Sequence, residues 1–117
     1  MMKANSIYIL VNNGEFQKEV LECELPVLVE FSAEWCGLGH MIAPVIEEMA
    51  LKFRTRVKFC RIDGDRDGEI AARYGLQKFP AILFFKDGQV VDSIIGAAPR
   101  KMIEQKIHVL LENEKEP

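Results

Sequence analysis

The run Trp35-Cys36-Gly37-Leu38-Gly39-His40 holds the sequence's most reactive combination of residues. A cysteine at a helix start meets unpaired backbone N–H groups and the positive end of the helix dipole. Both favour the thiolate, the form of sulfur that attacks disulfides. A site that reduces disulfides unaided also needs a second thiol, held close enough to displace the product from the first. Three residues after Cys36, where that thiol would complete the pair, stands Gly39. One thiol can exchange or hold a partner, and an external thiol such as glutathione must then finish the cycle.

Two other groups are placed to assist. His40 directly follows the turn; protonated, it would favour the thiolate or shuttle a proton, because an imidazole titrates near neutrality. The alternative is an exposed helix residue. Glu30 interrupts an otherwise apolar run, and burial would keep its proton on to higher pH, which suits proton transfer. The alternative there is a structural carboxylate. Cys23 is expected to pack on a helical face, and neither it nor Cys60, in a strand with no sequence reason to meet Cys36, is expected to act as the resolving thiol, since a bridge needs Cα atoms within about 7 Å. With three scattered cysteines and two histidines, no resident metal or cofactor is expected.

The elements that must position these residues follow from periodicity. Ser6 to Val11 reads as a strand closed by an Asn12-Asn13-Gly14 turn. Phe16, Val20 and Cys23 share one helical face, and Pro26 soon stops continuation. Pro26 to Phe31, nearly all apolar, predicts a central strand covered on both sides. Ile42, Val45, Ile46, Met49 and Phe53 keep helical spacing, with Pro44 expected to bend that helix. "VKFCRID" reads as a strand, "DGDRDG" as a loop, and "EIAARYG" as a short helix ended by Gly75. Two β-rich runs around Asp87-Gly88 predict a hairpin. Pro99 opens a last helix with the stripe Ile103, Ile107, Leu110 and Leu111, and a charged tail from Glu112 is expected to fray. The order β-α-β-α-β-α-β-β-α gives an α/β class, a mixed five-stranded sheet flanked by four helices.

A chain of 117 residues suits one domain, 1–117, and 49% hydrophobic with 28% charged residues is an ordinary globular mix. Net charge is −3, with 15 basic and 18 acidic residues interspersed, which disfavours nucleic acid as a partner. No apolar run approaches the ~20 residues of a membrane span, and the N-terminus lacks a secretory pattern. A cytoplasmic protein is expected.

The chain resembles the thioredoxin family over nearly its whole length. "VLVEFSAEWCG" resembles the family's central strand and active-site turn, "MIAPVIEEMA" its following helix, and "YGLQKFPAILFFKDGQVV" the segment with its cis-proline and hairpin. The resemblance implies the thioredoxin fold, with Cys36 as nucleophile and Trp35 and Gly37 shaping the site. It also implies that Pro80 is a cis-proline facing the sulfur and that Gly96 lets a substrate chain approach. An extended peptide would pair beside Phe79-Pro80, with Trp35, Phe79, Gly96 and Ala97 lining the groove.

The departures are specific. Where the family usually reads W-C-G-P-C-K, the proline, second cysteine and lysine are absent; Glu30 replaces a common aspartate, Ser32 a frequent aromatic residue, and Phe59 a frequent charge. Leu38 and Gly39 lead to the expectation of a looser first helical turn and a more accessible sulfur. The reading is thiol-disulfide exchange through Cys36 alone on protein or peptide disulfides or thiols, with glutathione as co-reductant. A binding module for extended peptides without turnover is the alternative. Iron-sulfur carriage by a single-cysteine site is a third, disfavoured by the W-C-G context.

Overall fold

The computed structural model describes residues 8–112. Its elements are β1 (Ile9–Leu10), α1 (Asn13–Phe16), β2 (Val27–Ser32), α2 (Gly37–Phe53), β3 (Lys58–Asp63), α3 (Gly68–Arg73), β4 (Ala81–Lys86), β5 (Gln89–Ile95) and α4 (Arg100–Glu112). The sheet order is β1-β3-β2-β4-β5, parallel from β1 to β2 and antiparallel from β2 to β5. This is the thioredoxin fold, a mixed five-stranded sheet with four helices.

All six residues of β2 are buried, as their near-continuous apolar character requires of a strand covered on both faces. Alternation sends Leu28 toward α2 and α4, and Val27, Val29 and Phe31 toward α1 and α3. Ile42, Ile46, Met49 and Phe53 form the buried stripe of α2, flanked by half-buried Val45, and the helix runs on through Pro44. Burial of each such side chain contributes about 1.5–3 kcal/mol. Ile103, Ile107, Leu110 and Leu111 of α4 complete that core. On the other face the rings of Phe16, Tyr74 and Phe85 meet edge to face, with centroids 5.5–6.0 Å apart.

Three boundaries differ from the sequence reading. The first strand is short: only Ile9–Leu10 pairs, Tyr8 precedes it, and Ser6 and Ile7 lie outside the described residues. The Asn12-Asn13-Gly14 turn is instead a helix start. Asn12 accepts from the Glu15 N–H while the Glu15 carboxylate accepts from the Asn12 N–H, a capping box that satisfies two orphan donors. The helix continues as a π-helix over Gln17–Leu21, so Cys23 falls beyond its end and is half-buried. The tail after Glu112 lies outside the described residues.

At the hairpin, Asp87 (φ 53°) and Gly88 (φ 79°) both take positive φ, the conformation a two-residue I′ turn demands. Gly75 (φ 70°) ends α3 in the same way, as its sequence position predicts.

Candidate active site

Cys36 caps α2. Its backbone is extended (φ −88°, ψ 102°), its carbonyl accepts from the His40 N–H at 3.2 Å, and its Sγ accepts from the Gly39 N–H at 3.3 Å. Sulfur therefore satisfies one of the first N–H groups of the helix, and the dipole and that amide both set positive charge against it. The expected accessibility is not found. Cys36 is 5% exposed, because Gly39 is buried and its N–H draws the sulfur down onto the first turn. Gly37 is exposed, with open space where a Cβ would stand.

The room that a second thiol would need belongs to Ser32. A Cβ built on Gly39 would lie 2.0 Å from Ser32 Oγ, 3.2 Å from Ser32 Cβ and 3.5 Å from Cys36 Sγ. Ser32 is buried, and its hydroxyl has no hydrogen-bond partner among the described residues. Sequence reasoning noted this serine only as a missing aromatic residue.

Two residues earlier on the same face of β2 lies Glu30, fully buried. Its register partners are Arg61 on β3 and Ile82 on β4. The Tyr8 hydroxyl donates to Oε1 and Arg61 Nε lies 3.9 Å from the same oxygen, while Oε2 has no partner among the described residues. Burial holds the Glu30 carboxyl above its usual range, against the opposing pull of Tyr8 and Arg61. Burial, reinforced by that carboxylate, likewise raises the Tyr8 phenol. The charge expected at Phe59 is thus supplied one pleat further on by Arg61, a partner that only strand register identifies.

His40 is exposed, and its Nε2 donates to the Glu34 carbonyl at 2.7 Å, so the imidazole is tied to the turn backbone. A cleft of about 260 Å³ opens beside it, lined by Leu10, Ser32, His40, Arg61, Asp63 and Arg66 among others.

The groove residues gather at the same end of the sheet. Phe31 pairs with Ala81, so Phe79 and Pro80, just before β4, are carried to the end where β2 delivers Cys36. The Phe79-Pro80 bond is cis, and the buried Pro80 accepts through its carbonyl from the Gly96 N–H at 2.8 Å. Gly96 has φ 91°, a conformation that suits glycine. Ala97 beside it is exposed. The Trp35 and Phe79 ring centroids lie 6.2 Å apart, and Trp35 is 65% exposed. Phe79 lies over Gly64, where a Cβ would come 2.2 Å from its ring, so the ring keeps this position only because residue 64 has no side chain.

Cys60 and Cys23 are elsewhere. Alternation along β3 turns Cys60 into the core on the face opposite α2, and Cys23 packs against the same cluster. Burial pushes the Cys60 thiol up to about 12, Lys58 opposing. All three cysteines are free. Among the described residues, no group of three or more His, Cys, Asp and Glu side chains is arranged to hold a metal, and no helix is long and apolar enough to cross a membrane.

Residues 7–109 match the family model described as Thioredoxin. Thioredoxin 1 of Synechococcus elongatus is 41% identical over 95 residues, covering 81% of this chain and 89% of that protein. Thioredoxin of Synechocystis is 37% identical over 101 residues, covering 86% and 94%. The chloroplastic Thioredoxin M4 of Arabidopsis thaliana is 43% identical over 101 residues, covering 86% of this chain and 52% of its own length.

Proposed function

The chain belongs to the thioredoxin family, whose chemistry is thiol-disulfide redox on protein disulfides, and from that premise we propose that it exchanges disulfides through Cys36 alone. The Cys36 thiolate attacks a disulfide joining a protein to a small thiol. The S–S bond breaks, the protein leaves as its thiolate, and the small thiol stays bonded to Cys36. A second small thiol of the glutathione type, deprotonated, attacks the outer sulfur of that adduct. It leaves with it as a small disulfide and returns Cys36 as thiolate. In net, one protein mixed disulfide and one small thiol give one protein thiol and one small disulfide.

The observation that carries the reading is that position 39 offers no thiol while Cys23 and Cys60 pack on the far side of the sheet. The Gly39 amide and the start of α2 stabilise the leaving and attacking sulfur in the same place. The cycle requires a compartment that keeps thiols reduced, as the cytosol does. The test is the intact mass of the reduced protein after a peptide disulfide and then glutathione. An adduct on Cys36 that forms and is then cleared supports the cycle; a Cys36 that stays unmodified while the denatured protein reacts refutes it.

A second reading, a binding module without turnover, is favoured by the 5% exposure of Cys36 inside a rim of exposed Trp35, Leu38 and Met41. Cys36→Ser separates the two, since binding that does not use the sulfur keeps its affinity in that variant.

A further inference from the structure

The cleft of about 260 Å³ opens where the ends of β2 and β3 meet the first turn of α2. Register sets Arg61 beside Glu30 and Asp63 beside Ser32, and alternation puts these pairs on the α2 face of the sheet. Phe79 packs against the core of the other face, so the cleft is a different surface from the peptide groove beside Pro80. It reaches the reactive end of the site. Ser32 stands in its wall, and the point beside Gly39 that lies 2.0 Å from Ser32 Oγ lies 3.5 Å from Cys36 Sγ.

The lining carries charge of both signs: Arg61 and Arg66 are cationic, Glu34 and Asp63 anionic. Among the described residues the Arg66 guanidinium makes no hydrogen bond or ion pair, and Arg61 has only the 3.9 Å approach of its Nε to Glu30, too long for a hydrogen bond. Both therefore have donors to spare. Asp63 is held in place, since its Oδ1 accepts from the backbone N–H groups of Asp65 and Arg66 at 2.9 and 3.1 Å. His40 is fixed by its bond to the Glu34 carbonyl. In the same wall the buried Ser32 hydroxyl has nothing to bond, and a buried polar group left unpaired calls for a partner. Two guanidiniums with free donors, two acids and an unpaired hydroxyl beside a thiol suit a small molecule that itself carries both charges.

We propose that this cleft binds the α-amino-acid end of a glutathione-type thiol while its sulfur is bonded to Cys36, with the carboxylate on Arg61 and Arg66 and the ammonium on Glu34 and Asp63. The inference deepens the one-thiol exchange reading and rests on it. A guanidinium meets a carboxylate in two parallel hydrogen bonds, so the arginines fix the direction of the bound arm as well as its charge. Holding the far end of the adduct limits the positions of its outer sulfur, the atom that the second small thiol attacks. The cleft itself makes and breaks no covalent bond. A neutral thiol, or a simple anion without the ammonium, gains little from it.

The experiment titrates S-methylglutathione, which keeps both charged ends and has no free thiol, into the isotope-labelled full chain and follows amide NMR shifts. Saturable shifts are expected at Ser32, Glu34, His40, Asp63 and Arg66. Arg66→Ala is expected to weaken binding about five- to tenfold, the worth of a charge-assisted hydrogen bond at an exposed side chain. N-acetylation of the ligand, which removes the ammonium, weakens it on the wild type by a similar factor. Arg56→Ala, at an exposed arginine before the other end of β3, leaves binding unchanged. The proposal is overturned by an Arg66→Ala affinity equal to wild type, by acetate binding as tightly as S-methylglutathione, by shifts that map to Trp35, Phe79 and Gly96 instead, or by no saturable shift at all. Binding of this ligand needs no turnover. A wild type that binds it in the cleft but clears no Cys36 adduct keeps the cleft and removes only the exchange reading, and one that clears the adduct without those shifts does the reverse.

Discussion

Replacing Gly39 with cysteine restores the residue a two-thiol site needs, into space that Ser32 holds. The new Cβ would stand 2.0 Å from Ser32 Oγ and 3.2 Å from Ser32 Cβ. Rotation of the hydroxyl relieves the first contact; the second requires the backbone of β2 or α2 to give by a few tenths of an ångström. Overpacking in a close-packed site costs about 1–3 kcal/mol, and we expect Gly39→Cys to lose about 1–2 kcal/mol with both thiols reduced. Ser32→Ala removes the atom in the worst contact, so the pair Ser32→Ala/Gly39→Cys is expected to recover about 1 kcal/mol beyond additivity. Urea unfolding under reducing conditions, followed through Trp35, gives the four corners of that cycle. The Cβ would also lie 3.5 Å from Cys36 Sγ, compatible with disulfide geometry. The double variant is therefore expected to reduce insulin with dithiothreitol faster than Gly39→Cys alone. Additivity within about 0.3–0.5 kcal/mol, or a single variant as stable as wild type, would refute the reasoning that Ser32 occupies the second thiol's space.

Three further outcomes follow from the same geometry. Because folding raises the Glu30 carboxyl, the unfolded chain releases that proton first. Wild-type stability then falls as pH rises from the ordinary carboxylate range through the folded value, by about 1.4 kcal/mol for each pH unit separating the two, and Glu30→Gln flattens that slope in urea titrations from pH 4 to 8. A slope unchanged by the substitution would assign it to another group. Cys60, buried with its thiol pushed up to about 12, is expected to stay unlabelled by iodoacetamide at pH 8 in the folded protein and to react once denatured, as peptide mass mapping reads directly. Gly64→Ala sets a methyl 2.2 Å from the Phe79 ring and is expected to cost about 1–3 kcal/mol and to change Trp35 fluorescence, since that ring moves off Trp35; an unchanged spectrum would contradict the packing described.

Much of the scaffold is legible in the sequence because it depends on local patterns. The near-continuous apolar run of β2, the helical stripes of α2 and α4, and Asp87-Gly88 between two β-rich runs each state which residues must be buried or must turn, and the structure agrees at each. The helix start at Asn12 was legible as well: Glu15 three residues later is the capping-box signal, outweighed in the reading by the turn preference of Asn-Asn-Gly. Within the site, the sequence alone placed Cys36 at a helix start and left position 39 without a thiol.

Tertiary structure decided how that thiol is surrounded. Register, a property of two strands rather than one, sets Arg61 opposite Glu30 in place of a charge at Phe59. Chain entry before β1 brings the Tyr8 hydroxyl to the same carboxylate, from 22 residues away. Phe79 over Gly64 and Ser32 beside Gly39 are contacts between segments 15 and 7 residues apart that no periodicity encodes. Exposure of the sulfur also lay beyond local rules: a glycine at position 39 lowers helix propensity, yet its small size let the turn close and bury Cys36. Periodicity fixes which side of an element faces inward; what each inward group meets there is set by packing between elements distant in sequence.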